Sequence, residues 1–169
     1  MRRRDVSQAD FVSFYEANRD ACVRAVAVTV VDPDRAHDLV AEAFARAWAN
    51  WSKVRVHPAP AAWVVRTARN VNVSSWRRRR REVPWSSTLD AAAHLDGASS
   101  IDPELLDALR KLSPRQREVV ALRVFLDLDC RTTAMSLGIA EGTVTAHLAR
   151  AVATLRASLA ANAHQEVQP

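Results

Sequence analysis

The stretch Arg131-Thr132-Thr133-Ala134-Met135-Ser136-Leu137-Gly138-Ile139-Ala140-Glu141-Gly142-Thr143-Val144 has the spacing of two short helices joined by a glycine turn. Gly138 supplies a residue that takes positive φ at low cost between the helices. Ala134 is small where the helices must approach, and Leu137, Ile139, Val144 and Leu148 fill the wedge between them. This is the pattern of a helix-turn-helix, whose second helix enters a major groove with its N-terminal turns nearest the bases. Thr143, Thr145, Ala146, His147 and Arg150 are then presented to DNA, with Arg131 on the first helix. Two amphipathic helices packed only for stability share the same turn, so the motif needs support from the rest of the chain.

Upstream, Ser113-Pro114-Arg115-Gln116 has the form of a capping box, with Ser113 as N-cap and Pro114 at the first helical position. Its helix is expected to turn Val119, Val120, Leu122, Val124 and Phe125 to a core. Asp102-Pro103-Glu104 starts a shorter helix through Leu112, and a last helix runs from about Glu141 to Leu159. Between Val83 and Ser100 the periodicity fades into Pro84, Ser86, Ser87, Gly97, Ser99 and Ser100, which reads as a flexible linker.

Before that linker lie three helical patterns. The first begins near Asp10 and carries Phe11, Phe14, Tyr15, Cys22, Val23, Val26, Ala27 and Val30 on one face. Asp32-Pro33 breaks it and caps the second, in which Leu39, Val40, Ala43, Phe44, Ala47, Trp48 and Trp51 form an apolar stripe. Asp38, Glu42 and Arg46 line another side at four-residue steps. His57-Pro58-Ala59-Pro60 marks a loop. A third helix runs from about Ala61 into Trp76 and the run Arg77-Arg78-Arg79-Arg80-Arg81.

The expected fold is therefore all-α: two small helical domains at 8–82 and 102–162, joined by a linker at 83–101, with the helix-turn-helix in the second. Composition agrees. The 169 residues are 49% hydrophobic and 25% charged with only 3 glycines, which suits a helical globular chain. A formal charge of +5 makes an acidic partner such as nucleic acid plausible on electrostatic grounds.

Other classes find little support. Cys22 and Cys130 are too few and too far apart for a disulfide framework. Met1-Arg2-Arg3-Arg4-Asp5 lacks the apolar core of a signal peptide, and no apolar run approaches the roughly 20 residues that span a bilayer. A cytoplasmic protein without membrane insertion is expected. His37, His57, His94, His147 and His164 pair with no cysteine or carboxylate at metal-ligand spacing, and no phosphate-cradling glycine loop or nucleophile elbow occurs. We expect no enzyme, no metal and no cofactor.

Leu112-Ser113-Pro114-Arg115-Gln116-Arg117-Glu118-Val119-Val120 through Gly142-Thr143-Val144 resembles the promoter-binding domain of extracytoplasmic-function sigma factors. It is also similar to the DNA-binding domain of LuxR-type regulators, which act without replacing a sigma factor. The first half separates the two. Asp34-Arg35-Ala36-His37-Asp38-Leu39-Val40-Ala41-Glu42-Ala43-Phe44-Ala45-Arg46-Ala47-Trp48 resembles the sigma helix that binds the coiled coil of the polymerase's largest subunit. Trp63-Val64-Val65-Arg66-Thr67-Ala68-Arg69-Asn70-Val71, ending in Trp76 and five arginines, resembles the sigma segment that engages the promoter −10 element.

The resemblance implies a polymerase contact through Asp38, Glu42 and Arg46. It implies −10 contacts through Arg66, Arg69, Asn70, Asn72, Trp76, Arg77, Arg78, Arg79 and Arg80, the arginines on phosphates and Trp76 stacked on a base. It implies −35 contacts through Arg131, Thr143, Thr145, Ala146, His147 and Arg150. Core RNA polymerase and promoter DNA are the implied partners, and an anti-sigma factor is a third that such proteins commonly have. The chain departs from the family pattern at Ala41 and Ser74, and Thr145-Ala146-His147 replaces a common basic pair. Promoter preference therefore does not carry over.

Overall fold

In the computed structural model the described residues are 2–82 and 102–165, with side chains from Ser7 to Arg77 and from Asp102 to Ala161. The expected linker at 83–101 lies outside them. All regular structure among the described residues is helical.

The first half is built from α1 (Arg2–Val30), α2 (Pro33–Ala49), α3 (Trp51–Val54) and α4 (Pro60–Glu82). Helix α1 starts well before the expected Asp10. No Pro or Gly interrupts residues 2–9, so helix propensity carries the backbone past the end of the apolar stripe. It ends at Val31, which takes a φ of 55° and donates its N–H to the Ala27 carbonyl at 2.9 Å. A β-branched residue is an unusual occupant of that left-handed position, which glycine more often fills.

Helix α2 begins as its sequence demands. The Asp32 carboxylate accepts the Arg35 N–H at 3.1 Å, and Pro33 occupies the first turn. Ala36, Leu39, Val40, Ala43, Phe44 and Ala47 are buried. The stripe does not continue through Trp48, which is 46% exposed. Asn50 ends the helix by donating its side-chain amide to the Arg46 carbonyl at 2.9 Å. The chain then turns into α3, which returns Trp51 to the core and leaves Trp48 lying over Phe11 at 5.0 Å between ring centroids. Phe11, Phe14, Phe44 and Trp51 interlock at tilted and edge-on angles, and α4 adds Val64, Val65, Ala68 and Val71 to the same core.

The second half comprises α5 (Pro103–Arg110), α6 (Pro114–Val120), a π-helical turn (Ala121–Phe125), α7 (Cys130–Leu137) and α8 (Glu141–Gln165). Both halves of the capping box form at α6. Ser113 Oγ accepts the Gln116 N–H at 3.3 Å, and Gln116 Oε1 accepts the Ser113 N–H at 2.8 Å. One expectation fails here: Val124 is 60% exposed, not core. The π-helical turn shifts the register that a 3.6-residue period projects, so Ala121 and Leu122 point inward and Val124 outward.

The two halves are packed together. Val28 of α1 is fully buried among Leu109, Leu112, Val120 and Ala151. Ala59 and Ala62 pack on Leu122, Leu126, Leu128 and Leu137. Ala121 joins the first half's core, with Phe125 and Leu126 against it.

Candidate nucleic-acid interface

The helix-turn-helix is held by three local devices. The Asp129 carboxylate caps α7, accepting the Thr132 N–H at 2.6 Å. Hydrogen bonds from the Thr132 backbone and hydroxyl hold that carboxyl below its usual range. Gly138 ends α7 with a φ of 65°, and the Ile139 N–H reaches the Ala134 carbonyl at 3.1 Å. The Ala140 carbonyl accepts the Thr143 and Val144 N–H groups at 3.0 and 3.1 Å, which starts α8. Val119, Ala134 and Val144 form the buried wedge, with Leu137, Ile139 and Leu148 against it, as the spacing requires.

This geometry leaves the first turns of α8 at the surface. Thr143, Thr145 and Arg150 are exposed, as is Arg131 on α7, while Ala146 and His147 are half-buried. The Thr145 hydroxyl sits 3.2 Å from the Glu141 carbonyl, to which it donates, so its remaining capacity toward a base edge is as an acceptor. His147 Nδ1 is buried without a hydrogen-bond partner in the protein.

On α4 the helical period sorts the candidate residues into two groups. Arg66, Asn70 and Arg77 fall along one line, and Arg69, Asn72 and Trp76 along another. The first three are exposed; Asn72 is half-buried and Trp76 is 51% exposed. The helix continues to Glu82, but the side chains of Arg78, Arg79 and Arg80 lie outside the described residues.

Arg69 behaves differently from its expected role as one of several phosphate ligands in a row. Its guanidinium is ion-paired with Glu118 of α6, whose other carboxylate oxygen takes Arg115 at 2.8 Å. Glu118 is only 8% exposed. Burial, followed by the neighbouring Arg115 and Arg66 charges, lowers the Arg69 pKa from its ordinary value. Arg66, Arg69, Arg115 and Glu118 line a cleft of about 350 Å³ between the halves, whose far side includes Met135 and Ser136 of α7. Sequence reasoning missed Glu118 and Arg115 as members of this cluster. Their three-residue spacing marks them as a helical pair, but nothing along the chain shows that α4 meets them.

On α2, Asp38, Glu42 and Arg46 are all exposed opposite the core stripe. Glu42 and Arg46 pair with each other at 2.6 Å. Elsewhere the chemistry is quiet. Burial pushes the Cys22 thiol up to about 12, so it is no nucleophile at neutral pH. Both cysteines are free. Among the described residues no group of three or more His, Cys, Asp or Glu side chains is arranged to hold a metal, and no helix is long and apolar enough to cross a membrane.

An exposed recognition helix on one half and an exposed basic helix on the other define a two-part, helical DNA-binding protein. The comparisons make this specific. Residues 14–82 match the model of sigma-70 region 2, and residues 103–155 match that of sigma-70 region 4. The chain is 35% identical to an RNA polymerase sigma-E factor of Streptomyces coelicolor, over 90% of this chain and 87% of that one. It is 32% identical to the ECF RNA polymerase sigma factor SigL of Mycobacterium tuberculosis, with 76% of each covered. A solved sigma factor RpoE from Bartonella quintana, in complex with the anti-sigma factor NepR, superposes with a TM-score of 0.70 at 27% identity. That match covers 89% of this chain and 96% of the solved one.

The chain belongs to the sigma-70 family and is an RNA polymerase sigma factor of the extracytoplasmic-function type. Such proteins are transcription initiation factors that work with core RNA polymerase at promoter DNA. The LuxR-type alternative is not favoured, because it accounts for the second half alone.

Proposed function

We propose that this sigma factor divides its work among three surfaces. Asp38, Glu42 and Arg46 on α2 dock on core polymerase. Arg66, Arg69, Asn70, Asn72, Trp76 and the run Arg77–Arg80 on α4 engage the −10 element. Arg131, Thr143, Thr145, Ala146, His147 and Arg150 engage the −35 element. The corresponding units are 8–82 and 102–162, with 83–101 connecting them.

The observation that carries this reading is the exposed line of Arg66, Asn70 and Arg77 on α4, on a different half from the helix-turn-helix. A duplex-binding regulator needs only the second half. A factor that also captures a separated strand needs a basic surface with amide groups for base edges and an aromatic ring for stacking. Trp76 supplies the ring.

Promoter opening then comes from binding energy: protein contacts to unstacked bases offset the cost of melting a few pairs. The chain itself performs no bond chemistry and needs no cofactor. It acts in the cytoplasm, where core polymerase is. An anti-sigma factor is a further partner, supported by the solved relative that was captured with one.

Transcription reconstituted from core polymerase, this protein and a genomic template library tests the reading. Promoter-specific products that depend on the protein are expected. A set of duplex sites bound without polymerase, and no such products, would replace it with the regulator reading.

A further inference from the structure

We propose that the cleft between α4, α6 and α7 binds a small organic phosphate whose far end carries hydroxyl or amino groups, such as a sugar phosphate or a nucleotide. The charge of the cleft, its size and its two unlike walls point to that chemistry. The site stands on these observations, whichever surface of α4 meets the promoter.

One wall is cationic. Arg66 and Arg69 of α4 and Arg115 of α6 line it together with Glu118. Three guanidinium groups share one carboxylate, which leaves two positive charges in the cleft without a counter-charge. Both oxygens of Glu118 are occupied, by Arg69 and Arg115, and among the described residues Arg66 makes no ion pair. Arg69 and Arg115 each use only Nη1 on Glu118, so their other N–H groups remain as donors. After burial, the charges of Arg115 and Arg66 are what lower the Arg69 pKa, so the three cations repel one another where they stand. A phosphomonoester carries about −1.5 to −2 charges at neutral pH, which offsets the excess. Arginine also gives a phosphate paired, directional hydrogen bonds.

The opposite wall is of another kind. It is the end of α7, where Met135, Ser136, Leu137 and Gly138 line the cleft. Gly138 and Ile139 both give their N–H groups to the Ala134 carbonyl. The carbonyls of Met135, Ser136 and Leu137 therefore accept none from the turn that follows. A helix end of this sort disfavours an anion and accepts hydrogen bonds from hydroxyl or amino groups. The phosphate belongs at the arginine wall and the ligand's donor groups at the α7 wall. Met135 is 63% exposed, and nothing lies within 4 Å of where a Cβ on Gly138 would be, so the α7 wall is open to approach.

Between the walls the floor is apolar, formed by Ala62, Val65 and Leu122. The volume of about 350 Å³ falls within the range of small-molecule sites and exceeds what a bare phosphate ion fills. A ring or short carbon framework fills the remainder and covers that floor. Occupancy also engages Arg66 and Arg69. Under the assignment of these arginines to the −10 element, the ligand's concentration then sets how much factor is free for a promoter.

Isothermal titration calorimetry on the full-length protein at low salt tests the site, with ribose 5-phosphate and adenosine 5′-monophosphate as probes. Inorganic phosphate and adenosine are the controls. Saturable binding of at least one organic phosphate is expected, about 10-fold or more tighter than either control. The tighter of the two probes tells a sugar phosphate from a nucleotide.

Two variants tie the binding to this cleft, and neither replaces an assigned DNA or polymerase contact. Arg115→Met removes one guanidinium, and Met135→Glu brings a carboxylate into the cleft. Each, checked for native helix content by circular dichroism, should bind the better probe about 10-fold or more weakly. No saturable binding of either organic phosphate at millimolar concentration overturns the proposal. So does binding no tighter than that of inorganic phosphate or adenosine, or binding that natively folded variants leave unchanged. If one variant loses helix content, the other decides.

Discussion

The Asp129 carboxylate accepts the Thr132 backbone N–H at 2.6 Å and so caps the first turn of α7, the first helix of the helix-turn-helix. The cap is exposed, so its effect on stability is local, but it sits at the base of the DNA-reading unit. Asp129→Ala should destabilise the second half, because it removes the N-cap of α7. The folded-state pKa is depressed, so this contribution is present above the unfolded value of about 4 and is lost as pH falls through the folded value. Urea titrations should show a constant gap between wild type and Asp129→Ala from pH 5 to 8, closing below about pH 4.

Gly138 has open space around the position of a Cβ, so a side chain there meets no clash. Its cost is purely that of the backbone, whose φ of 65° an L-residue rarely adopts. Gly138→Ala should cost about 1 kcal/mol. Gly138→Asn should recover part of it, because asparagine tolerates the left-handed region. Thermal unfolding of the three proteins checks the order.

On α8, Arg150 and Thr145 are exposed while His147 is half-buried. Arg150→Ala should weaken binding to a −35 duplex across sequences if it meets phosphate, lowering the slope of log affinity against log salt by about 0.9. Thr145→Val should instead change base preference with little effect on the slope. Binding to a randomised −35 library at two salt concentrations separates these outcomes, and an unchanged preference would move base reading away from Thr145.

On α4, Arg66 and Arg77 share one exposed line. Replacing either by alanine should reduce the salt slope of open-complex formation by about 0.7 if its partner is a single strand. Trp76→Ala should slow opening more than Trp76→Phe, which keeps a stacking face. Permanganate footprinting of unpaired thymines measures both.

Much of this architecture is legible along the chain. The caps at Asp32 and Ser113, the Gly138 turn and the wedge of Ala134 and Val144 each depend on residues close in sequence, and each forms as the local chemistry requires. The departures arise where distant parts meet or where the helical period changes. Val28 falls outside the expected stripe of α1, yet it is fully buried because the second half packs there. Val124 fits a 3.6-residue period and is exposed because a π-helical turn breaks that period. Glu118 reads as an ordinary charge on a short helix, and only the fold brings Arg69 to it. The exposed candidates on α2 and α8 follow from amphipathicity. The pairing of Arg69 depends on long-range packing that no local pattern encodes.

In the proposed function, this one chain confers promoter specificity on core polymerase through both halves. The most direct measurement is run-off transcription from a promoter mapped after overexpression, with core polymerase and the purified full-length factor. A single start site is expected, one that depends on the factor and disappears when either the −10 or the −35 element is scrambled. A start site that survives scrambling of both elements, or the absence of any factor-dependent transcript, would contradict it.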